Sequence, residues 1–258
     1  MSSVPRAAGV AWLALDEVPS TNAEAMRRAV AGETGPLYIR AERQTAGRGR
    51  SGRSWMTPAG NLALSRLGLL NCAPEAVPQL SLVTGLAVHR ACRDLLDGAA
   101  AADVLRLKWP NDLMLGDAKL AGVLVEATMV RGQRVAVIGI GINVATAPEV
   151  VGRRTTALVD AAGRTIDAGD VAERVAAHLE AVLAQWDNGN GFAAILEDWL
   201  RVATPFGTAI CIKTGQGEIG GAFAGLDSDG ALLLQREGRE LQRFAYGDVT
   251  LASEEEMS

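Results

Sequence analysis

The sequence has few of the residues that build disulfide frameworks and metal sites. Its 258 residues include three cysteines and two histidines. Cys72, Cys92 and Cys211 are far apart and odd in number, which argues against a disulfide framework and favours a reducing cytoplasm. Neither His89 nor His178 has a cysteine or histidine partner at ligand spacing. The sequence therefore argues against a zinc site and against a Ser-His-Asp triad.

Long apolar runs and a basic charge balance are also lacking. No run reaches the roughly 20 residues needed to span a membrane, and residues 1–9 lack the apolar stretch of a signal peptide. We therefore expect a cytoplasmic protein. The formal net charge of −5 and the pI near 5.2 argue against a general nucleic-acid binder. Hydrophobic residues (48%) and charged residues (21%) occur at globular levels, which excludes disorder over most of the chain.

One stretch concentrates glycine and arginine within this acidic chain. Residues 47–55 read Gly-Arg-Gly-Arg-Ser-Gly-Arg-Ser-Trp. Glycines allow successive backbone N–H groups to turn toward one point, and such a nest among arginines suits a phosphate or another anion. Taken alone, the stretch leaves two alternatives open: a solvated basic loop and an arginine-rich nucleic-acid segment.

Hydrophobic periodicity predicts an α+β fold. Strands are predicted at 12–15, 37–41, 61–70, 105–108, 113–115, 119–129 and 134–144, and helices at 21–31, 79–96, 170–187 and 191–201. Because hairpins follow one another directly, we expect a mixed, mainly antiparallel sheet backed by helices. After Pro205, short alternating runs separated by glycines predict a β-barrel of about 45 residues. The expected domains are 1–204 and 205–258, the second ending in the acidic tail Glu254–Glu256.

Local patterns add four expectations. Thr21 and Glu24 have the spacing of a capping box at the start of the first helix. The buried stripe of that helix is predicted to consist of Ala25, Met26, Ala29 and Val30. Pro110 lacks an N–H, so the strand before it should turn and expose Asn111 and Asp112. Gly139 and Gly141, in a hydrophobic strand, indicate a close approach to the backbone.

Four segments together resemble the biotin protein ligases. Each is weak alone, and their order and spacing carry the resemblance, which runs from about residue 18 to 144. They read Ser20-Thr-Asn22; Gln44-Thr-Ala-Gly-Arg-Gly-Arg-Ser-Gly-Arg-Ser-Trp55; Lys108-Trp-Pro-Asn-Asp112; and Lys119-Leu-Ala-Gly-Val-Leu-Val-Glu126 with Gly139-Ile-Gly-Ile-Asn-Val144. The resemblance implies a catalytic domain similar to class II aminoacyl-tRNA synthetases and an SH3-like C-terminal barrel.

The resemblance also implies a reaction and its partners. Biotin and ATP would give biotinyl-5′-AMP and pyrophosphate, and biotin would then pass to a lysine of a biotin carboxyl carrier protein. Mg²⁺ would accompany ATP, with Asp112 as a candidate ligand but no metal site fixed by protein ligands. Family members that act as repressors carry an N-terminal winged helix-turn-helix, and too few residues precede Trp12 to form one. We therefore expect a monofunctional ligase that binds neither DNA nor membranes, and the sequence leaves a homodimer open.

By resemblance, each segment supplies site residues. The expected catalytic residues are Lys119, beside the biotin carboxylate and α-phosphate, with Arg48 and Arg50. The expected biotin-binding residues are Ser20, Thr21, Asn22, Gln44, Gly47, Arg48, Gly49, Arg50, Lys119 and Gly122. The expected ATP or adenylate residues are Arg50, Arg53, Trp55, Lys108, Asn111, Asp112 and Asn143. We expect the loop at 47–53 to be poorly ordered when empty and to close over its ligands.

Two other functions stay open at this point. A lipoate or octanoate protein ligase or transferase on the same fold would also have a lysine in its pocket. A nucleic-acid-binding protein could use the arginine-rich loop, although the acidic pI and the scarcity of aromatic residues near that loop argue against it.

Overall fold

The structure is a computed structural model that describes residues 9–215 and 217–251. The expectations for residues 1–8 and for Glu254–Glu256 fall outside these described residues. Across the described ranges, no helix is long and apolar enough to cross a membrane.

Strands and helices alternate irregularly along the described chain. The helices are α1 (Thr21–Ala31), α2 (Gln79–Leu95), α3 (Leu158–Ala162), α4 (Ala168–Trp186) and α5 (Phe192–Arg201). The strands are β1 (Ala11–Val18), β2 (Leu37–Gln44), β3 (Leu62–Leu69), β4 (Leu105–Lys108), β5 (Asp112–Leu115), β6 (Ala118–Val130), β7 (Gln133–Ile142), β8 (Ala209–Thr214), β9 (Gly217–Leu226), β10 (Leu232–Gln235), β11 (Gln242–Phe244) and β12 (Asp248–Leu251).

The first seven strands form one mixed sheet in the order β1-β2-β3-β7-β6-β5-β4. Only the β1–β2 pair is parallel among these described strands, so the predicted fold class is confirmed. Side chains alternate between the two faces of each strand. Ile39 and Val137 pack with α1 on one face, whereas their neighbours Tyr38 and Ile138 belong to the larger core with α2, α4 and α5.

The remaining strands form an antiparallel sheet in the order β11-β10-β9-β8-β12. This is the expected small C-terminal β-structure, but its last strand, β12, was not predicted. Two side chains, one at the end of β4 and one in the turn after it, reach this sheet and its β9–β10 loop: Lys108 Nζ donates to Val249 O at 2.9 Å, and Trp109 Nε1 donates to Gly230 O at 3.0 Å. The proposed boundary at 204/205 lies between α5 and β8 and stays a prediction.

The start of α1 differs from the predicted capping box. Ser20 is the N-cap, and its hydroxyl accepts from Ala23 N at 3.4 Å. Glu24 instead pairs with the two arginines that follow it in the helix. The prediction that Val30 is buried is also wrong, since it is 64% exposed. Val30 follows the buried Ala29 by one residue. One residue is a rotation of about 100° around the helix, which turns the Val30 side chain away from the buried face.

His89 makes stability depend on pH. It is buried within α2, and burial lowers its pKa to about 4, opposed by a hydrogen bond with the Leu105 backbone. An unfolded histidine takes up a proton near pH 6.5, so protonation favours the unfolded chain as the pH falls from there to about 4. We expect the free energy of unfolding to drop by up to about 3 kcal/mol across this window.

Urea unfolding at pH 7, 5.5 and 4 checks this expectation. In His89→Gln, the free energy of unfolding should depend less steeply on pH than in the parent protein. His178→Gln, which changes the more exposed histidine, should keep the parent's pH dependence. An equally steep slope in His89→Gln would contradict the assignment.

Candidate active site

A cavity of about 610 Å³ lies on the α1 face of the main sheet. Its floor includes Gly122 of β6 and Gly141 of β7, which are cross-strand neighbours. The start of α1 forms one wall. Residues of two loop segments, 48–56 and 148–155, contribute much of the remaining lining.

The floor glycines let side chains approach the backbone, as predicted. A Cβ atom at Gly139 would collide with the Asn22 amide, and one at Gly141 would collide with the Trp55 indole. Gly122 lies between Trp55 and Lys119, whose Nζ is 3.0 Å from the position of an added Cβ. Any side chain at these positions would fill the floor of the cavity.

One end of the cavity is a neutral hydrogen-bonding network. Gln44 Oε1 accepts from Thr21 N at 2.8 Å, and Gln44 Nε2 donates to Thr57 Oγ1 at 3.1 Å. The Ser65 hydroxyl donates to Asn22 Oδ1 at 2.6 Å and lies 2.8 Å from Thr21 Oγ1. Asn22 Nδ2 donates to Glu126 Oε2 at 2.8 Å. Hydroxyls and amides are thus held in fixed orientations beside the cavity.

The Gly/Arg loop lies over the cavity and folds back on itself. Gly49 N donates to Arg53 O at 2.7 Å, and Trp55 N donates to Gly47 O at 2.9 Å. Ser51 and Gly52 are left-handed, with φ of 55° and 73°. Arg48 lies 3.5 Å from Glu126, and Arg50 donates to Asn111 Oδ1 at 3.3 Å. These arginines bring positive charge to the cavity, and ordering of the loop by a ligand stays a prediction.

A buried cluster of three charges underlies the cationic end. Asp112 pairs with Lys108 at 3.1 Å through one carboxylate oxygen and with Lys119 through the other. The prediction that Asp112 is exposed is therefore wrong: its side chain is 9% exposed, because two lysines compensate for its burial. Lys119 Nζ also lies 5.4 Å from the centre of the Trp55 ring.

The same contacts set the protonation of this cluster. Burial alone would raise the pKa of Asp112, but Lys119 and Lys108 together lower it to about 2. Burial lowers the pKa of Lys119, and the Asp112 carboxylate opposes this by stabilising the ammonium. Two lysines around one carboxylate leave a net positive charge, which attracts an anion.

Most predicted site residues meet at this cavity. The lining includes Ser20, Thr21, Asn22, Gln44, Arg48, Gly49, Arg50, Arg53, Trp55, Asn111, Lys119, Gly122 and Asn143. Gly47, Lys108 and Asp112 are not in the lining; Gly47 packs under Trp55 O and the Gln44 amide, and the other two lie behind Lys119. Asn143 is buried, and its Nδ2 donates to Thr156 O at 3.1 Å.

Several residues of the site lie outside the motifs that predicted it. Arg153 lies between β7 and α3, where no strand, helix or motif was predicted, yet it lines the cavity. Ser65 orients Asn22 from β3. Asp248 pairs with Arg53 from the C-terminal sheet at 2.8 Å. No local sequence signal marks these three, because each is brought to the site by tertiary pairing.

The described side chains fit a protein-held Mg²⁺ poorly. Both Asp112 oxygens are occupied by lysine ammonium groups. No group of three or more metal-binding side chains occurs within residues 9–215 and 217–251. Mg²⁺ is commonly bound through substrate phosphates together with one or two carboxylates, so an ion that accompanies ATP would rely on the phosphates and not on Asp112.

The fold and cavity together define a class of site. A neutral polar end suits an uncharged ring system, and a lysine-arginine end suits a carboxylate and phosphates. Such a site belongs to enzymes that join a small carboxylic acid to a nucleotide.

Comparisons with known proteins identify the family. Residues 15–143 match the Biotin/lipoate A/B protein ligase family, and residues 206–251 match the Biotin protein ligase C terminal domain. A biotin–[acetyl-CoA-carboxylase] ligase of Paracoccus denitrificans is 39% identical over 231 residues, covering 86% of this chain and 92% of the relative. One from Mycobacterium tuberculosis is 34% identical over 249 residues, covering 94% and 90%. The chain belongs to the biotin protein ligases.

Solved structures agree with this assignment. The biotin protein ligase of Aquifex aeolicus, solved in complex with biotin and ATP, superposes with a TM-score of 0.78 at 28% identity, covering 94% of this chain and 99% of that one. That of Leishmania major, solved with biotinyl-5-AMP, gives a TM-score of 0.65 at 26% identity, covering 91% and 98%.

Proposed function

We propose that this ligase activates biotin as biotinyl-5′-AMP and transfers biotin to a specific lysine of a biotin carboxyl carrier protein. The observation that carries the proposal is the position of Lys119. Its ammonium lies on the floor of the cavity, held by Asp112, in the same cavity as the neutral network around Thr21 and Asn22.

The neutral network suits the ureido ring of biotin. That ring carries N–H donors and a carbonyl acceptor but no charge. Ser20, Thr21, Asn22 and Gln44 present hydroxyl and amide groups of both kinds at one end of the cavity. A ring bound there would direct its carboxylate tail across the glycine floor.

The cationic end suits adenylation. A carboxylate oxygen of biotin attacks the α-phosphorus of ATP, the bond to the β-phosphate breaks, and pyrophosphate leaves. Negative charge concentrates on the phosphoryl oxygens, and fixed cations stabilise it. Lys119 can bridge the carboxylate and the α-phosphate as a point charge with three donors. Arg48 and Arg50 would neutralise the charge from the loop.

The nucleotide would lie beside the same loop. Arg53, Asn111 and Asn143 line the cavity with Trp55, whose indole forms an apolar wall against Gly141. Lys108 and Asp112 would act from behind Lys119.

In the transfer step, the neutral amine of the carrier lysine attacks the acyl carbon, the bond to phosphate breaks, and AMP leaves with the electron pair. A closed loop would keep water away from the mixed anhydride.

An assay with purified protein tests the proposal. Protein, Mg·ATP and biotin are mixed, and pyrophosphate release and label transfer to a biotin carrier domain are followed. Turnover with octanoate or lipoate but not with biotin would replace the proposal by the lipoate-ligase alternative. No turnover, together with oligonucleotide binding of steep salt dependence, would favour the nucleic-acid alternative. The cytoplasmic location and the absence of DNA recognition stay predictions, and a homodimer stays open.

The Arg50→Gly variant should retain biotinyl-AMP poorly. The substitution removes the hydrogen bonds from the guanidinium to Asn111 Oδ1 and Gly247 O. Hydrogen bonds of a charged group contribute about 1.5–3 kcal/mol each, so release should be at least about tenfold faster. Stopped-flow or filter measurements of adenylate release check this. Arg43→Gly, which changes an exposed arginine of the preceding strand, should release at the parent rate; an unchanged rate in Arg50→Gly would exclude the role.

A further inference from the structure

The Gly/Arg loop is fastened to the C-terminal sheet at the start of β12. Arg53 Nη2 donates to Asp248 Oδ1 at 2.8 Å, and the Ser51 hydroxyl donates to Asp248 Oδ2 at 3.0 Å. Arg50 Nη2 donates to Gly247 O at 3.2 Å, and its Nη1 lies 3.7 Å from Asp248 Oδ1. One carboxylate therefore receives side chains from three residues of the loop.

The same strand holds the charge cluster below the cavity. Val249 O accepts from Lys108 Nζ, and Lys108 pairs with Asp112, which in turn holds Lys119. We call Gly247, Asp248 and Val249 the β12 anchor. The loop above the cavity and the lysines below it thus share one support outside the main sheet.

Backbone hydrogen bonds within the loop, such as Gly49 N to Arg53 O, shape its turn, but few apolar contacts fasten it to the rest of the protein. Residues 51–54 are exposed, and none of them is a large apolar side chain. Ser51 is left-handed, a conformation that non-glycine residues adopt at a cost and that surrounding contacts must stabilise. Segments with few apolar contacts open readily, so the polar contacts with Asp248 decide how long the loop stays in place.

The charges favour this arrangement. The side chains of Arg50 and Asp248 are each 25% exposed, so water screens their interaction only in part. Burial lowers the pKa of Arg50, and Asp248 opposes this effect more than Asp112 does. An aspartate at position 248 thus lowers the cost of burying the arginine beside the cavity.

We propose that Asp248 is a positioning residue that holds residues 50–53 over the cavity, so that the C-terminal sheet sets the residence time of the adenylate. This inference rests on the proposed function. Asp248 touches neither biotin nor phosphate in this account; it acts through Arg50, Ser51 and Arg53.

Amide hydrogen exchange on the ligand-free protein tests the anchor without any assumption about the substrate. In Asp248→Asn, the hydrogen-bonded amides of Gly49, Arg53 and Trp55 should exchange at least about tenfold faster than in the parent, because the charge that fixes the loop is removed. Asp248→Glu should restore most of the protection, since the carboxylate is kept. Asp229→Asn, which changes an exposed acid of the same sheet paired with Arg243, is the matched control and should leave the loop unchanged.

Adenylate release tests the functional half. Asp248→Asn should release biotinyl-AMP about tenfold faster than the parent protein. In the double variant Arg53→Gln/Asp248→Asn, the rate of adenylate release should rise by less than the product of the two single-variant increases. Both substitutions remove the same contact, so their effects are not independent.

The outcomes separate the two claims. Unchanged exchange and unchanged release in Asp248→Asn would overturn the anchor. Faster exchange spread evenly over the whole chain would also overturn the anchor, because it would indicate a general loss of stability. Amide exchange that is equally fast in Asp248→Asn and Asp248→Glu would overturn it as well. If the loop is released in Asp248→Asn but the parent protein makes no biotinyl-AMP, the anchor stands and the proposed function fails.

Discussion

Lys119→Ala is expected to form biotinyl-AMP at least about 10³-fold more slowly than the parent protein, while staying folded. The variant removes the ammonium that would bridge the biotin carboxylate and the α-phosphate. Folding should persist because Asp112 keeps Lys108 as its partner at 3.1 Å. Pyrophosphate release in single turnover measures the chemical step, and thermal unfolding measures stability.

Two further variants make the Lys119 experiment specific. Lys119→Arg keeps the charge but replaces a compact ammonium with a planar guanidinium, so it should recover only part of the rate. Lys213→Ala removes an exposed lysine of the C-terminal sheet, whose side chain is 72% exposed, and should have the parent rate. Parent-like adenylation by Lys119→Ala would remove Lys119 from the mechanism.

The strands could be predicted because their signals are local, and most site residues because four segments resemble the biotin protein ligases in order and spacing. Continuous apolar runs define β2 and β7, and paired glycines within β7 indicate the close approach that the Asn22 and Trp55 side chains make. The start of α1 was harder, since Ser20 and Thr21 are adjacent residues with equal capping chemistry. Only the backbone of the folded chain distinguishes them: Ser20 is extended and Thr21 is helical.

The parts that could not be predicted depend on pairing between distant segments. Ser65 orients Asn22 because β3 places it opposite Gly139 in the sheet register. Asp248 lies in a strand of four residues near the end of the described chain, too short for periodicity to reveal. Its partners in the Gly/Arg loop are almost 200 residues earlier, about 195 for Arg53, and a sequence pattern carries no signal for such a contact.

The burial of Asp112 also could not be predicted from the sequence, and it determines the expected effect of Asp112→Asn on stability. A sequence shows an aspartate after a Trp-Pro turn, for which exposure is the ordinary expectation. The fold instead places it between Lys108 on the antiparallel partner strand and Lys119 on β6. Two ammonium groups buried side by side are stable only while the carboxylate between them balances their charge.

Asp112→Asn is therefore expected to lower the free energy of unfolding by about 3–5 kcal/mol at pH 7, because two buried lysines lose their counter-charge. The difference in the free energy of unfolding between the parent protein and Asp112→Asn should become smaller at acid pH. The folded pKa of Asp112 is about 2, below the unfolded value near 3.9. Its stabilisation is thus fully present above about pH 4 and is lost as the pH falls toward 2, a change of about 2 kcal/mol.

Urea unfolding of both proteins at pH 7, 4 and 3 measures the effect of Asp112→Asn. The matched control is Asp117→Asn, which changes an exposed aspartate of the next turn paired with Arg154, and it should stay within about 0.5 kcal/mol of the parent. A variant at position 112 that is as stable as this control at pH 7 would show that the lysines do not need the carboxylate. The same result would weaken the account of Lys119, since a lysine that is stable without its partner is not held in place by it.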